Sequence, residues 1–207
     1  MAAPKLEFFW DIGSTNTYFA WHLLRPLAGA YDALVVPRGL NLGHVFRHYN
    51  YSLGDEPAVK IAYRKRDLER WAENYGLPFR FPDVFPIKTS RAMRGAIVMR
   101  AEGREADYMD LLFSRYWEQN DHSIAEWSGL KSVVAELGSD PDAFVEAAES
   151  EEVRRIHAAE NDDAIARGVF GAPSIIVGGE LFWGKDRMEY VENVLKHEAG
   201  ESFAADG

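Results

Sequence analysis

The stretch WDIGSTNT, residues 10–17, combines a glycine with four consecutive residues whose side chains form hydrogen bonds, at the predicted start of a helix. Backbone N–H groups in the first turn of a helix lack intrahelical partners and attract anions. The plainest interpretation of Ser14 in such a cluster is an N-cap. The alternative is a hydroxyl that donates to a ligand anion such as a thiolate. The local pattern leaves both interpretations open.

Two stretches near the C-terminus are further candidates for chemistry. Pro173 follows Ala172 directly before a predicted strand. Because proline cannot donate to a sheet, it belongs at the start of a strand, and a cis bond there would turn the Ala172 backbone toward a ligand. In FWGKDR, residues 182–187, Lys185 and Asp186 form either a solvated helix start or a site for a zwitterionic ligand. Taken alone, this pattern favours the solvated helix start.

The chain of 207 residues contains no cysteine. This excludes disulfides, thiolate metal sites, a CxxC redox centre and a cysteine nucleophile, so a thiol used in chemistry must arrive with a ligand. The six histidines lack the HExxH spacing, and GxSxG, P-loop and GxGxxG motifs are absent from the sequence. We therefore expect no catalytic metal.

Charge and hydropathy narrow the class of partner. A net charge of -10 argues against nucleic acid as the main ligand, because phosphate binding needs a basic surface. No apolar run reaches the length of a membrane span, and the N-terminus lacks the pattern of a signal peptide. These features predict a cytoplasmic protein that acts on a small molecule.

The elements that position the candidate residues form two halves. The first is a β-α-β unit, which favours a parallel pair of strands joined by a crossover helix. The second is a hairpin with Gly178-Gly179 at its turn, followed by a helix. The predicted elements are strand 5–12, helix 17–30 and strand 33–37, then strands 174–177 and 180–183 and helix 186–197.

Between the halves nearly every segment is predicted to be helical. Gly76 with Pro78 beyond it is a helix stop, and Asp140 before Pro141 is an N-cap followed by a first-turn proline. The predicted helices are 58–75, 90–102, 106–118, 124–137 and 141–168. The chain thus divides into an α/β domain, 5–46 plus 166–200, a helical insertion domain, 47–165, and a flexible tail, 201–207.

Three blocks together resemble the 2-hydroxychromene-2-carboxylate isomerases and the related kappa-class glutathione transferases. They are FFWDIGSTNTYFA at 8–20, PAVKIAYRKRDLERWAENYGLPFRFPDVFP at 57–86 and GVFGAPSIIVGGELFWGKDRM at 168–188, of which the last is the most specific. The resemblance implies an α/β protein in which a thioredoxin-like fold of the DsbA-like branch is interrupted by a large all-helical insertion. It also implies a homodimer.

The resemblance implies a role in glutathione binding for each matching residue. Ser14 matches the family's catalytic serine, which takes the place of the redox cysteine of thioredoxin-like relatives. Ala172 and Pro173 match the cis-proline junction, whose backbone pairs with the cysteinyl part of glutathione. Asp186 matches the acid that holds the γ-glutamyl amino group, and Lys185 precedes it in the same loop.

The insertion is implied to complete the site. Lys60 matches a lysine that lines the glutathione or substrate site. An asparagine normally lies several residues before this lysine: Asn50 fits if Val59 is an insertion, whereas Asp55 fits a shorter gap. Both alternatives stay open.

The implied substrate site adds further residues. Lys60, with Lys88 or Arg64, would receive the substrate carboxylate, and the rings of Trp10 and Trp183 would flank the substrate ring, although each ring is equally suited to the core. Lys88 itself departs from the family, many members of which have asparagine there. Thr15 replaces the family's proline after the serine, which predicts a less rigid turn.

The resemblance implies a glutathione-dependent isomerase of aromatic-compound catabolism. Reversible addition of the glutathione thiolate would convert 2-hydroxychromene-2-carboxylate to trans-o-hydroxybenzylidenepyruvate without net redox change. The first alternative is a kappa-like glutathione transferase that acts on another electrophile. The second is a non-catalytic thioredoxin-like binding module.

Overall fold

A computed structural model of the chain describes residues 3–52 and 56–199. Its four-stranded sheet has the order β2-β1-β3-β4, with β1 parallel to β2 and antiparallel to β3, and β4 antiparallel to β3. The strands are β1 (Lys5–Trp10), β2 (Leu34–Gly39), β3 (Ser174–Val177) and β4 (Glu180–Trp183). Both the parallel β-α-β unit and the hairpin predicted from the sequence are therefore confirmed.

The helices that the structure describes surround this sheet. They are α1 (Thr15–Ala30), α2 (Leu42–His48), α3 (Ala58–Tyr75), α4 (Ser90–Ala101), α5 (Glu105–Phe113), α6 (Trp127–Glu136), α7 (Pro141–Glu149), α8 (Glu151–Ala166) and α9 (Met188–Glu198). A π-helical segment, Ser114–Glu118, continues α5, and a 3₁₀ turn spans His122–Ala125. None of the helices in residues 3–52 and 56–199 is long and apolar enough to cross a membrane.

Local signals account for the helix ends that the sequence predicted. Gly76 adopts the left-handed conformation at φ 62° and ends α3 at the predicted residue. The Asp140 carboxylate accepts hydrogen bonds from the backbone N–H groups of Asp142, at 2.8 Å, and Ala143, at 3.1 Å, so that α7 starts at Pro141. These two boundaries follow from residues immediately beside them.

One helical prediction is wrong, and one helix was missed. The predicted helix 141–168 is divided in two at Ser150, whose extended backbone ends α7 and whose hydroxyl caps α8 by accepting from Val153 N at 3.2 Å. Helix α2 was not predicted, and it begins where the Asn41 side chain accepts from His44 N at 3.0 Å. In both cases a short polar side chain caps a helix that apolar periodicity alone does not delimit.

One apolar core extends through the sheet and the helical insertion. The Trp10 ring at the end of β1 contacts Phe113 of α5 edge-on, with 5.9 Å between ring centroids. Trp117 is fully buried, and its indole N–H donates to the Ile12 carbonyl at 2.9 Å. The insertion thus packs directly against the turn that follows β1. The two-domain boundaries stay a prediction.

Candidate functional site

Ser14 lies at the junction of β1 and α1, and its hydroxyl has two protein partners. Its oxygen accepts from Thr17 N at 3.3 Å, which makes it the N-cap of α1. Its proton is donated to the Ala172 carbonyl at 2.8 Å, across 158 residues of sequence. The capping interpretation is therefore confirmed, and the same hydroxyl also joins the two stretches singled out from the sequence. Ser14 is 9% exposed.

The Ala172–Pro173 junction lies beside Ser14 and begins β3. Its peptide bond is cis, as predicted. The Pro173 carbonyl accepts from Gly184 N at 3.0 Å, which ties the junction to the loop between β4 and α9. The turn at residues 11–14, named the reactive turn below for the predicted role of Ser14, is thus linked by hydrogen bonds to the proline junction, and the junction is linked to the 184–187 loop.

Asp186 in this loop has a side chain that is 52% exposed and pairs with Arg187 at 2.6 Å. Gly184 makes this arrangement possible: it has φ 114°, and a Cβ at this position would lie 2.6 Å from the Asp186 carboxylate. The Lys185 ammonium lies 4.4 Å from the centre of the Trp71 ring of α3. Burial lowers the pKa of Lys185, and the carboxylates of Asp67 and Asp186 oppose that shift.

Asp11 is a buried carboxylate beneath the reactive turn, and sequence reasoning missed it. It is 1% exposed, and one of its oxygens accepts from Gly13 N at 2.8 Å. The other oxygen accepts from Leu42 N at 2.9 Å and from the Thr89 hydroxyl at 3.0 Å. Burial raises the pKa of Asp11 to about 6, although these hydrogen bonds oppose the rise. The available signal was an acid directly after the apolar run FFW.

Comparison with known proteins identifies the family. A profile of the DSBA-like thioredoxin domain matches residues 5–196. A 2-hydroxychromene-2-carboxylate isomerase from Pseudomonas putida is 30% identical over 198 residues, which cover 92% of this chain and 93% of the relative. The chain belongs to the 2-hydroxychromene-2-carboxylate isomerase family.

Two further comparisons agree with this family. A solved structure of a 2-hydroxychromene-2-carboxylate isomerase superposes with a TM-score of 0.83 at 28% identity, covering 96% of this chain and 99% of that one. The protein named glutathione S-transferase kappa 2 from Caenorhabditis elegans is 26% identical over 205 residues, 92% of this chain and 91% of its own. The resemblance inferred from the sequence, and the DsbA-like thioredoxin fold, are confirmed.

Lys60, the lysine matched to the isomerase family's insertion, lies in the first turn of α3. Its ammonium is 3.0 Å from a carboxylate oxygen of Glu56, and Arg64 pairs with the other oxygen. The Glu56 side chain is only 13% exposed, and the hydrogen bond from Lys60 is the largest cause of its lowered pKa. Two cations that the sequence assigned to ligand carboxylates therefore bind an internal carboxylate.

Asn50 and Asp55 both stay candidates for the asparagine position that precedes the family's lysine. Asn50 is exposed just beyond α2 and has a left-handed backbone at φ 52°, a conformation that asparagine tolerates well. Asp55 lies outside the described residues.

Besides Lys60 and Arg64, three residues are assigned to the isomerase family's substrate site, and they differ in exposure. Lys88 is exposed and directly precedes Thr89, whose hydroxyl binds Asp11, so it lies at the rim of the reactive turn. Trp183 is 46% exposed, and its ring centroid is 5.2 Å from that of Phe170 in the loop before the proline junction. Trp10 has no exposed surface. The prediction that Trp10 flanks a substrate is therefore wrong, because its ring fills the core.

Proposed function

We propose that this protein is a glutathione-dependent isomerase that acts on 2-hydroxychromene-2-carboxylate or a close aromatic relative. The observation that carries the proposal is the hydrogen bond from the Ser14 hydroxyl to the Ala172 carbonyl, at the N-terminus of α1, in a chain without cysteine. A serine in this position can stabilise a thiolate but cannot replace one. The thiol therefore has to be borrowed.

The residues around Ser14 fit the chemistry of glutathione. The tripeptide carries a thiol, amide groups, an ammonium and two carboxylates. Ser14 and the α1 N-terminus would hold the sulfur, the Ala172 backbone would pair with the cysteinyl amide, and the Asp186 carboxylate would hold the ammonium. We assign Lys60 and Lys185 to the two carboxylates of the tripeptide. When bound, glutathione would supply the thiolate that adds to the conjugated substrate and leaves after the bond has rotated.

The Ser14 hydroxyl can turn toward the sulfur at low cost. In the structure its single proton is donated to the Ala172 carbonyl. A neutral hydrogen bond contributes about 0.5–1.5 kcal/mol, whereas one to a charged group contributes about 1.5–3 kcal/mol. A peptide N–H that donates to Ala172 would replace the bond that Ser14 gives up. Thr17 N continues to donate to the Ser14 oxygen throughout.

Exposed side chains beside the reactive turn and the proline junction would recognise the substrate. We assign Lys88 to the substrate carboxylate, because it is exposed beside the reactive turn, and Trp183 to the substrate ring, because its face is half exposed next to the proline junction. The similarity to the protein named glutathione S-transferase kappa 2 favours a second candidate function, transfer of glutathione to another electrophile. Both functions use the same thiol site.

Calorimetry and turnover separate these functions. Glutathione is titrated into the protein, and the protein is then supplied with 2-hydroxychromene-2-carboxylate with and without glutathione while the absorbance of the product is followed. Isomerisation that depends on glutathione supports the proposal. Conjugation of a generic electrophile without isomerisation supports the transferase. Absence of binding at millimolar glutathione contradicts both and leaves the binding module.

Gly184→Ala is expected to weaken glutathione binding about tenfold. The new methyl group would lie 2.6 Å from the Asp186 carboxylate and displace it, removing one charge-assisted hydrogen bond to the ammonium. Calorimetry measures the change. The matched control is Gly179→Ala, which strains a residue at φ 82° but has nothing within 4 Å of its new Cβ. Equal losses in both variants would contradict the role of Asp186.

Glu56→Gln is expected to strengthen the binding of glutathione about threefold. Its carboxylate is bound by Lys60 and Arg64, and removing the charge frees both cations for a ligand. The gain is small because the side chains of Lys60 and Arg64 are 65% and 40% exposed, and ion pairs of exposed cations contribute little. Glu69→Gln, which removes one of the two carboxylates that pair with Arg66 on the same helix, is the control and should leave the affinity unchanged. Weaker binding by Glu56→Gln would show that Glu56 supports the site instead.

A further inference from the structure

Asp11 connects the reactive turn to two segments that are distant in sequence. Its carboxylate accepts from Gly13 N in the turn, from Leu42 N at the start of α2 and from the Thr89 hydroxyl in the insertion. Three donors bind this one carboxylate, and Asp11 is only 1% exposed, so its hydrogen bonds are made to the protein. These hydrogen bonds fix the position of each segment relative to the others.

The backbone of Asp11 holds the same turn. Its carbonyl accepts from Ser14 N at 3.0 Å, while its side chain accepts from Gly13 N at 2.8 Å. Both consecutive N–H groups before α1 are therefore bound by one residue. The family's proline after the serine would restrict this turn covalently, and Thr15 provides no such restriction. Asp11 supplies the restriction through hydrogen bonds.

Gly13 and Thr89 are fitted to this arrangement. A Cβ on Gly13 would lie 3.0 Å from the Thr89 methyl group and 3.3 Å from the Asp11 carboxylate. The absence of a side chain at Gly13 thus allows the insertion to approach the turn closely enough for Thr89 to donate. The insertion reaches the floor of the site through this contact.

We propose that Asp11 is a positioning residue for the thiol site, holding the turn so that the Ser14 hydroxyl lies between the Ala172 carbonyl and the sulfur. This inference rests on the proposed function. Asp11 itself has no contact with the ligand, because it is buried beneath the turn. Its effect passes through Gly13 and Ser14.

Asp11→Asn and Thr89→Val test the inference by two routes. An asparagine amide must present an N–H to one of the donors that Asp11 binds, so at least one hydrogen bond is lost. Thr89→Val keeps the shape and the carboxylate but removes one donor. We expect backbone amide exchange at Gly13 and Ser14, measured by NMR on ligand-free protein, to become up to about tenfold faster in both. We also expect kcat to fall up to about tenfold with the KM for glutathione within twofold.

Asp140→Asn is the matched control. Its carboxylate also binds two backbone N–H groups before a helix, but at α7, away from the site. It should leave exchange at Gly13 and turnover unchanged. Unchanged exchange in both test variants would overturn the inference, and so would faster exchange with wild-type kcat. Failure of the wild-type protein to bind glutathione overturns the proposed function instead, and the exchange rates, taken without ligand, still decide whether Asp11 holds the turn.

Discussion

Ser14→Ala should lower the glutathione-dependent rate by about two to three orders of magnitude, the usual cost of removing one donor aimed at a developing or stabilised anion. The Ser14 hydroxyl lies at the N-terminus of α1 and donates to the Ala172 carbonyl. The alanine variant keeps the helix N-terminus, so residual activity above background is expected. Steady-state rates at saturating glutathione measure the loss.

The chain offers a matched control for this substitution. Ser150 caps α8 with nearly the same geometry, donating to the Ala147 carbonyl at 2.7 Å and accepting from Val153 N at 3.2 Å. Both alanine variants should lose about 0.5–2 kcal/mol of the free energy of unfolding. Only Ser14→Ala should lose activity. If its rate equalled that of Ser150→Ala, Ser14 would be a cap and nothing more.

Asp11 should make the protein less stable as the pH rises from about 4 to 7. Burial raises the pKa of this carboxyl from 3.8 to about 6, so the folded state binds the proton more tightly than the unfolded state. Its stabilising contribution is therefore complete below pH 3.8 and is lost as the pH rises through 6. A pKa rise of this size corresponds to about 3 kcal/mol.

Comparison with Asp11→Asn separates the contribution of Asp11 to the pH dependence of stability from the contributions of the other carboxylates. Among the described residues Asp11 has no ion pair, and Tyr116 is the titratable neighbour whose pKa its charge helps to raise. Urea unfolding between pH 3.5 and 7 should therefore give a wild-type free energy that falls by about 3 kcal/mol relative to Asp11→Asn. Relative to Asp140→Asn, the wild-type free energy of unfolding should instead rise with pH, because hydrogen bonds from Ala143 N and Asp142 N lower the Asp140 pKa. If the free energies of unfolding of the wild type and Asp11→Asn differed by the same amount at every pH, the Asp11 carboxyl would have the same pKa in the folded and unfolded states.

The elements that could be predicted from the sequence are those whose ends are set by residues close to them in the chain. Helix α3 was predicted with both ends correct, because Gly76 stops it and Pro78 follows. The break at Ser150 was missed since the apolar pattern continues through it and only the serine's extended backbone marks the change. Trp10 was misassigned for a related reason, because sequence does not say which aromatic ring finds a partner such as Phe113.

Residues of the candidate site could be predicted where they lie in short motifs that match the family. The local patterns alone favoured or left open structural roles for Ser14, the proline junction and Asp186, and the resemblance selected them; hydrogen bonds in the structure link their segments. Asp11 could not be predicted, because its role comes from Leu42 and Thr89, which are 31 and 78 residues away. The acid after FFW and the nearby Gly13 N–H are local signs, but the two other donors are brought to the carboxylate only by the fold.

The hydrogen bond from the Trp117 indole limits how the shape of the site can change. Trp117 lies in the insertion and donates to the Ile12 carbonyl, two residues before Ser14. This hydrogen bond joins the insertion directly to the turn that holds Ser14. In the proposed thiol site, moving the insertion to admit a bulkier substrate would also turn Ser14 away from the sulfur. Under that proposal, new substrates are more readily gained by exchanging the exposed side chains of Lys88 and Trp183, which would leave the turn that holds Ser14 unchanged.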